Sequence, residues 1–416
     1  MAQRIILHID FDSFFASVEQ QCNPHLRNHP LGVTAANGRT CIIASSREAK
    51  KIGIGTGTRT PDALRICPTI HLVPADCNKY WEVSKKFIAI CKDFSPLIEV
   101  FSLDELFMDA TYTAHLYGGV EGLVTKIKTR IRQEIGEYIT VSVGISYNKL
   151  LAKLGSGLRK PNGITVISPQ QLEGIYAVAK LQDICGIGPR IETRLQFMGI
   201  FSLLQLRRTP KSLLQGEFWQ VEGQFLYDVG QGIDSRPVTS FTEDPGVKSV
   251  GRQYCLAHNE HNQTVVLQNI YELYEEIGIK LRRLKKKARC VGLGIFGAYQ
   301  AYGHITQQHF IDSGQDLFTA GMQVLKRKYG GLPPGYVRRI NVWAGLLEDT
   351  SLLPGPLLPF DRKREKIIQI VDNINDRFGD HTTRNGFLAN AIQLTTVPNG
   401  WMADRFERKK LALNTQ

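Results

Sequence analysis

Leu7-His8-Ile9-Asp10-Phe11-Asp12-Ser13-Phe14-Phe15-Ala16-Ser17-Val18-Glu19 places acid where apolar residues belong. Arg4 to Ile9 reads as a short buried strand and Ser13 to Gln21 as the start of a helix, so Asp10 and Asp12 fall where strand becomes helix. Side chains alternate along a strand, which lets the two carboxylates share a face with the Phe11 carbonyl exposed between them. Such an oxygen-rich corner suits a hard divalent cation. Taken alone, Asp12 reads as an ordinary helix cap. Asp10, flanked by Ile9 and Phe11 at the end of a core strand, needs a partner for its charge.

A second acidic pair lies in Glu99-Val100-Phe101-Ser102-Leu103-Asp104-Glu105-Leu106-Phe107-Met108-Asp109. Neighbouring strand residues point to opposite faces, so Asp104 and Glu105 meet one metal site only at a hairpin end or a bulge. With Asp10 they make three acids from two strands, the makings of a two-metal site.

Composition bounds the rest. The chain has 416 residues, 43% of them hydrophobic, enough for two to four domains with small cores. Its 51 Lys and Arg against 39 Asp and Glu give a net charge of +12, which favours a polyanionic partner without choosing between nucleic acid and membrane. No apolar run approaches the roughly 20 residues of a spanning helix, and the first residues form a strand rather than a signal peptide; a cytoplasmic, membrane-free protein is expected. The eight cysteines are scattered without a CxxC pair and read as ordinary thiols.

In chain order, Leu31–Thr34 and Thr40–Ala44 read as short strands around an Asn37-Gly38 turn, followed by a short helix from Ser45 to Gly53. Arg47 and Lys50 share a face of that helix, suited either to a phosphate chain or to plain solvation. A helix from Lys79 to Asp93 leads into the Asp104 strand, and a second spans about Gly119 to Gly136. Ile139–Ser146 is a β-branched strand, Asn148–Gly155 a helix, and Lys160-Pro161-Asn162-Gly163 a turn. This order suits an α+β layer with a largely antiparallel sheet.

At this point four motifs coincide: Asp-Phe-Asp-Ser-Phe-Phe-Ala-Ser-Val-Glu at 10–19, Ser-Leu-Asp-Glu at 102–105, Ser-Tyr-Asn-Lys-Leu-Leu-Ala-Lys at 146–153 and Lys-Pro-Asn-Gly at 160–163. In order and separation they resemble the palm motifs of Y-family translesion DNA polymerases. The resemblance implies two Mg²⁺ ions held by Asp10, Asp104, Glu105 and the Phe11 carbonyl, with primer-template DNA and deoxynucleoside triphosphates as partners. It sets Phe14 and Phe15 at the nucleotide, Phe15 as the ring that excludes a ribose 2′-hydroxyl, although two aromatics at a helix start also suit a core. It sets Arg47, Lys50 and Lys160 on the triphosphate. Many members have Tyr then Arg where this chain has Arg47 and Lys50, and the lysine is closer to the polymerase V catalytic subunit than to polymerase IV.

Leu181 to Arg190, then Leu195 to Ile200, reads as helix, Gly-rich turn, helix. It resembles a helix-hairpin-helix that would bind a DNA backbone through Gly186, Gly188 and Arg190. After a linker from Ile233 to Gly246, Val247–Tyr254 is a strand and Val265–Lys287 an amphipathic helix closed by the basic run Arg282–Arg289. The strands Val291–Gly297 and Arg338–Trp343 complete what looks like a little-finger domain, with Lys248 and Arg252 on the template backbone. Pro356-Leu357-Leu358-Pro359-Phe360 keeps only Leu357 and Phe360 of the sliding-clamp motif found here in relatives, and reads equally as an apolar linker before a helix at about 362–378.

The expected architecture is therefore α+β, a right-hand polymerase. It has a palm at 1–165 with small fingers inserted at about 20–78 and a helical thumb at 166–235. A linker at 236–246, an α/β little finger at 247–345 and a C-terminal tail with a helix at 346–416 follow. The expected protein is a monomeric, low-fidelity translesion DNA polymerase; the rival is a catalytically weak DNA-binding subunit of a mutasome.

Overall fold

The computed structural model describes residues 4–35, 41–240, 246–379 and 382–391, which form two compact units meeting at residue 246 of the sequence. The Asn37-Gly38 turn lies outside the described residues.

In the first unit a five-stranded sheet runs in the order β5-β6-β1-β7-β8, made of Ile98–Val100 (β5), Glu105–Asp109 (β6), Ile6–Phe11 (β1), Val141–Ser146 (β7) and Ile164–Ile167 (β8). All its pairings are antiparallel except β7 with β8. The central strand β1 sends Leu7, Ile9 and Phe11 into the main core beside Leu106, Met108 and Val143, while Ile6, His8 and Asp10 alternate onto its other face. That core also takes the buried faces of Phe14–Cys22 (α1), Cys77–Lys92 (α4) and Val120–Glu134 (α5). Lys149–Leu158 (α6) lies across the sheet, and a Cβ on Gly144 would come 1.9 Å from the Ala152 carbonyl, so only glycine lets helix and strand approach this closely.

Inserted after α1 is a small three-stranded sheet, Ile42–Ser45 (β3), Leu31–Thr34 (β2) and His71–Pro74 (β4), with two short helices, Arg47–Lys51 (α2) and Thr60–Ile66 (α3). Ser46 caps α2 by accepting from the Ala49 amide.

The helices after β8 depart from expectation. The first half of the proposed hairpin, Leu181–Asp183, is a single 3-10 turn; the real helices are Leu172–Val178 (α7), Pro189–Phe197 (α8), Leu203–Arg208 (α9) and Lys211–Gln231 (α10). The last is kinked at Trp219, whose φ of 66° interrupts its periodicity. The stretch after α10 is not a free linker up to Ser240. Val238 is buried with Ile6 and Phe107, and the Thr239 amide donates to the Glu99 carboxylate at 2.8 Å, because extended backbone needs partners once its apolar residues are covered.

The second unit is a four-stranded antiparallel sheet, β11-β10-β12-β9, built from Ser249–Glu260 (β9), Lys286–Gly297 (β10), Gln300–Ile311 (β11) and Val337–Asp349 (β12). Gln263–Arg283 (α11) and Gly314–Tyr329 (α12) pack on it. The basic run ends the helix only through Arg282 and Arg283, which close the last turn of α11. The chain turns at Lys285 (φ 53°), and Lys286 and Lys287 enter β10 in register with Asp349 and Glu348, with Lys286 paired to Asp349 across the ladder at 2.9 Å.

A further helix, Pro359–Phe378 (α13), lies on α11 and α12 through charge. The Arg282 guanidinium forks onto Asp372 at 2.6 and 2.7 Å, while Arg283 meets Asp376, Lys287 meets Glu365 and Arg364 meets Asp316. Its Ile367, Ile370 and Phe378 stay exposed.

Candidate active site

The end of β1 lies between β6 and β7, which sets Asp10 opposite Glu105 on one side and Ser142 on the other. The Phe11 amide donates to the Asp104 carbonyl at 2.9 Å, and the amides of Phe101 and Ser102 both donate to the Glu105 carbonyl at 3.1 Å. Asp104 and Glu105 thus occupy the tip of the β5–β6 hairpin, the geometry that consecutive acids need to serve one corner. Ligand atoms of His8, Asp10 and Glu105 fall within 4.8 Å of one another.

Burial lifts the Asp10 carboxyl to about 7, against the opposing charge of Lys160, and raises Asp104 as well. Burial also pushes Glu105 upward, but the adjoining His8 ring and the charge of Lys153 outweigh it and bring that group to about 2. His8 is itself held down near 4 by burial, so a neutral imidazole faces Glu105 at 3.0 Å and meets Ser156 Oγ at 2.7 Å through Nδ1. The Lys160 ammonium pairs with Asp10 and lies 3.3 Å from the Phe11 carbonyl; Lys153 pairs with Glu105. Carboxylates, a main-chain carbonyl and raised proton affinity at one point form a hard-oxygen donor set that fits a divalent cation.

Around this corner the structure separates residues that the sequence reading joined. Asp12 is not the cap of α1. Ser13 takes the cap position with φ 53° and makes no cap bond, while Asp12, 2% exposed, accepts from the Thr140 hydroxyl at 2.6 Å, the Ser142 hydroxyl at 2.7 Å and the Asn162 amide at 2.7 Å. Phe14 is not free to meet a nucleotide: it is 3% exposed and stacks on Phe11 at 4.9 Å, since the inward face of α1 needs an aromatic there. Phe15 is half-buried, its ring stacked on Tyr80 at 4.3 Å. Arg47 donates to the Thr140 hydroxyl, and Lys50 Nζ donates to Ser13 Oγ at 2.8 Å. Burial and the charge of Lys160 depress the Lys50 ammonium, which places three cations within electrostatic reach of one another.

Three models of protein families match the chain in succession: the impB/mucB/samB family over residues 9–157, a DNA polymerase-iota thumb domain over 182–234, and the impB/mucB/samB C-terminal domain over 247–352. DNA polymerase IV of Bacteroides fragilis (strain YCH46) is 34% identical over 71% of this chain and 79% of its own length. DNA polymerase IV of Pelotomaculum thermopropionicum is 31% identical over 96% of this chain and 97% of its own. A solved Y-family DNA polymerase chimera of Dbh and Dpo4 superimposes with a TM-score of 0.70 at 26% identity, over 83% of this chain and 99% of that one. The chain belongs to the Y-family of DNA polymerases.

As in other Y-family members, the fold is a right-hand polymerase with palm, fingers, thumb and little finger. In the thumb, Gly186 has φ 113° and a Cβ there would strike the Phe225 ring at 2.6 Å; Gly188 caps α8, with Arg190 exposed on its first turn. The little finger corrects one expectation. Lys248 is exposed, but Arg252 is 8% exposed and donates through Nε to Glu276 at 2.8 Å, so its charge is spent inside the fold. Lys153 and His8, which hold Glu105, went unassigned in the sequence. The signal was there for His8, because strand alternation sets it on the same face as Asp10.

Proposed function

We propose that this Y-family chain is a template-directed DNA polymerase of the translesion type, adding deoxynucleotides to a primer 3′ end by two-metal-ion catalysis. The observation that carries the reading is the convergence of Asp10, Asp104 and Glu105 at the end of β1, with proton affinity of Asp10 raised to about 7. Those carboxylates and the Phe11 carbonyl would hold two Mg²⁺ ions, which when bound supply an activated primer hydroxyl and a neutralised triphosphate. Lys160 releases Asp10 as that charge is met elsewhere and turns to the triphosphate. Arg47 and Lys50 bind the same phosphates from α2, Arg47 as a planar fork. Phe15 closes the space at the sugar 2′ position. Gly186, Gly188 and Arg190 bind the duplex backbone from the thumb, and Lys248 from the little finger.

Domain limits follow the same reading with two moved to strand ends, since 165 falls inside β8 and 346 inside β12: palm to 167 with fingers at about 20–78, thumb to 235, little finger from 247 to 349, and the tail after it. Among the described residues no helix is long and apolar enough to cross a membrane. Leu357 and Phe360, 86% and 74% exposed, are available to a sliding clamp, and their joint replacement by alanine tests that contact as lost processivity with the clamp alone. The rival reading, a weak DNA-binding subunit, is disfavoured by the complete acidic set.

Primer extension by the purified chain with Mg²⁺ and deoxynucleotides, on undamaged and abasic templates beside Asp104→Asn, tests the proposal. Extension on both templates that the variant abolishes is expected. Primer-template binding without extension would sink it in favour of the scaffold reading.

A further inference from the structure

Asp12 stands behind the nucleotide pocket rather than in it. Both carboxylate oxygens are engaged, Oδ1 by the Ser142 hydroxyl and Oδ2 by the Thr140 hydroxyl and the Asn162 amide, and its own amide donates to the Thr140 carbonyl at 2.9 Å. At 2% exposure it offers no free atom to a metal or a substrate. Two of its partners lead outward. Thr140 is the residue that receives the Arg47 guanidinium. Asn162, with φ 58°, belongs to the turn that presents Lys160, and Lys128 grips the same turn at the Asn162 carbonyl, 2.7 Å away.

A strand end gains little from a buried carboxylate. Desolvating it costs several kcal/mol, and a well-packed apolar side chain at such a place is often neutral or stabilising. What the carboxylate adds is direction: three donors from two separate segments are drawn onto one point. One of those segments carries Lys160, and the other, through Thr140, receives Arg47 of α2, two of the three cations assigned to the triphosphate.

We propose that Asp12 is a positioning residue for nucleotide binding, fixing Arg47 through Thr140 and the Lys160 turn through Asn162 so that both cations meet the triphosphate already in place. Preorganisation of this kind spares the ordering cost at binding, and an ångström of misplacement can cost orders of magnitude in rate. The inference rests on the assignment of Arg47 and Lys160 to the triphosphate.

The test measures steady-state incorporation, primer-template affinity and melting temperature for the full-length protein. Asp12→Asn keeps the shape but cannot accept from three donors; the KM for deoxynucleotide should rise about tenfold or more, with primer-template affinity unchanged. Thr140→Val cuts only the Arg47 arm and should raise KM less; it decides the matter if Asp12→Asn does not fold. Combining Asp12→Asn with Lys160→Ala should raise KM by less than the product of the two separate effects. A lowered melting temperature with KM within twofold of wild type, in whichever variant folds, would make Asp12 structural only and overturn the proposal. If Lys160→Ala by itself left KM unchanged, the triphosphate assignment would fall, and the proposal with it.

Discussion

The palm corner and the helical face of the little finger both neutralise charge by pairing, yet with different chemistry. In the palm the acids are matched by lysines, Lys160 on Asp10 and Lys153 on Glu105, whose side chains are 35% and 23% exposed. In the little finger the most buried pairs use arginines, Arg252 on Glu276 and Arg282 forked onto Asp372, although lysine pairs such as Lys287 on Glu365 lie beside them. An ammonium on a flexible stem is a point charge that can be exchanged for another cation, whereas a guanidinium fork fixes geometry. In the two palm pairs the exchangeable lysines stand at the corner proposed for metal and substrate, and in the two arginine pairs the arginines hold the scaffold. The positive charge of this sequence is therefore a poor census of its DNA contacts.

The contrast can be broken most severely at Asp104. Asp104→Asn should cut incorporation by at least about a thousandfold, since several kcal/mol of charge stabilisation depend on the acidic set, while the melting temperature holds or rises. Equal loss of stability would mean that the palm acids are scaffold too. Arg252→Ala should do the reverse: an uncompensated Glu276 costs about 3–5 kcal/mol of little-finger stability by denaturant titration, with activity per folded molecule kept. Should that variant melt like wild type and bind DNA weakly, Arg252 would be a DNA contact after all. Phe15→Ala should relax discrimination against ribonucleotides on the order of a hundredfold in kcat/KM ratio, and unchanged sugar selectivity would remove Phe15 from the pocket.

The charge states give a smaller effect with a definite sign. In chelated protein the Asp10 carboxyl titrates near 7 against an ordinary value of 3.8, so the folded state holds the proton more tightly than the unfolded chain. Its contribution to stability is present below 3.8 and is lost as pH rises towards 7. Glu105, held near 2, contributes in the other direction, with stability present above 4.5 and lost as pH falls. Comparing the melting of wild type and Asp10→Asn in EDTA between pH 5 and 8 should show a decline with pH in the wild type alone, and Mg²⁺ should abolish the difference. Smallest of all, Lys248→Ala should weaken DNA binding about twofold and lower the salt slope by about one phosphate contact.

The catalytic corner was legible because acid in an apolar strand is costly and demands a reason; Asp10, Asp104 and Glu105 announce themselves. Lys160 was legible only through the family likeness, since a lysine before a Pro-Asn-Gly turn looks solvated. Asp12 was misread because a cap and a buried hub share the same position at a helix start, and only the fold brings Thr140 and Asn162 to it. Arg252 was misread because exposure along β9 cannot be told from a residue name. Among the elements, β11 has only Ala301 fully buried and gives little apolar alternation, and the kink at Trp219 breaks the period of α10. For α12 the pattern of Leu317, Ala320, Gly321, Val324 and Leu325 does carry a helical signal that the chain's many motifs overshadowed.

Helix α13 has a practical consequence for anyone shortening the protein. A chain cut before Pro359 would lose Glu365, Asp372 and Asp376, and with them one acidic partner each of Lys287, Arg282 and Arg283. Although the removed helix carries more basic than acidic residues, the trimmed protein should cling harder to heparin resin and to bulk nucleic acid during purification. Tighter retention by such a truncation would be easy to mistake for improved template affinity, when it reports only counter-charges cut away.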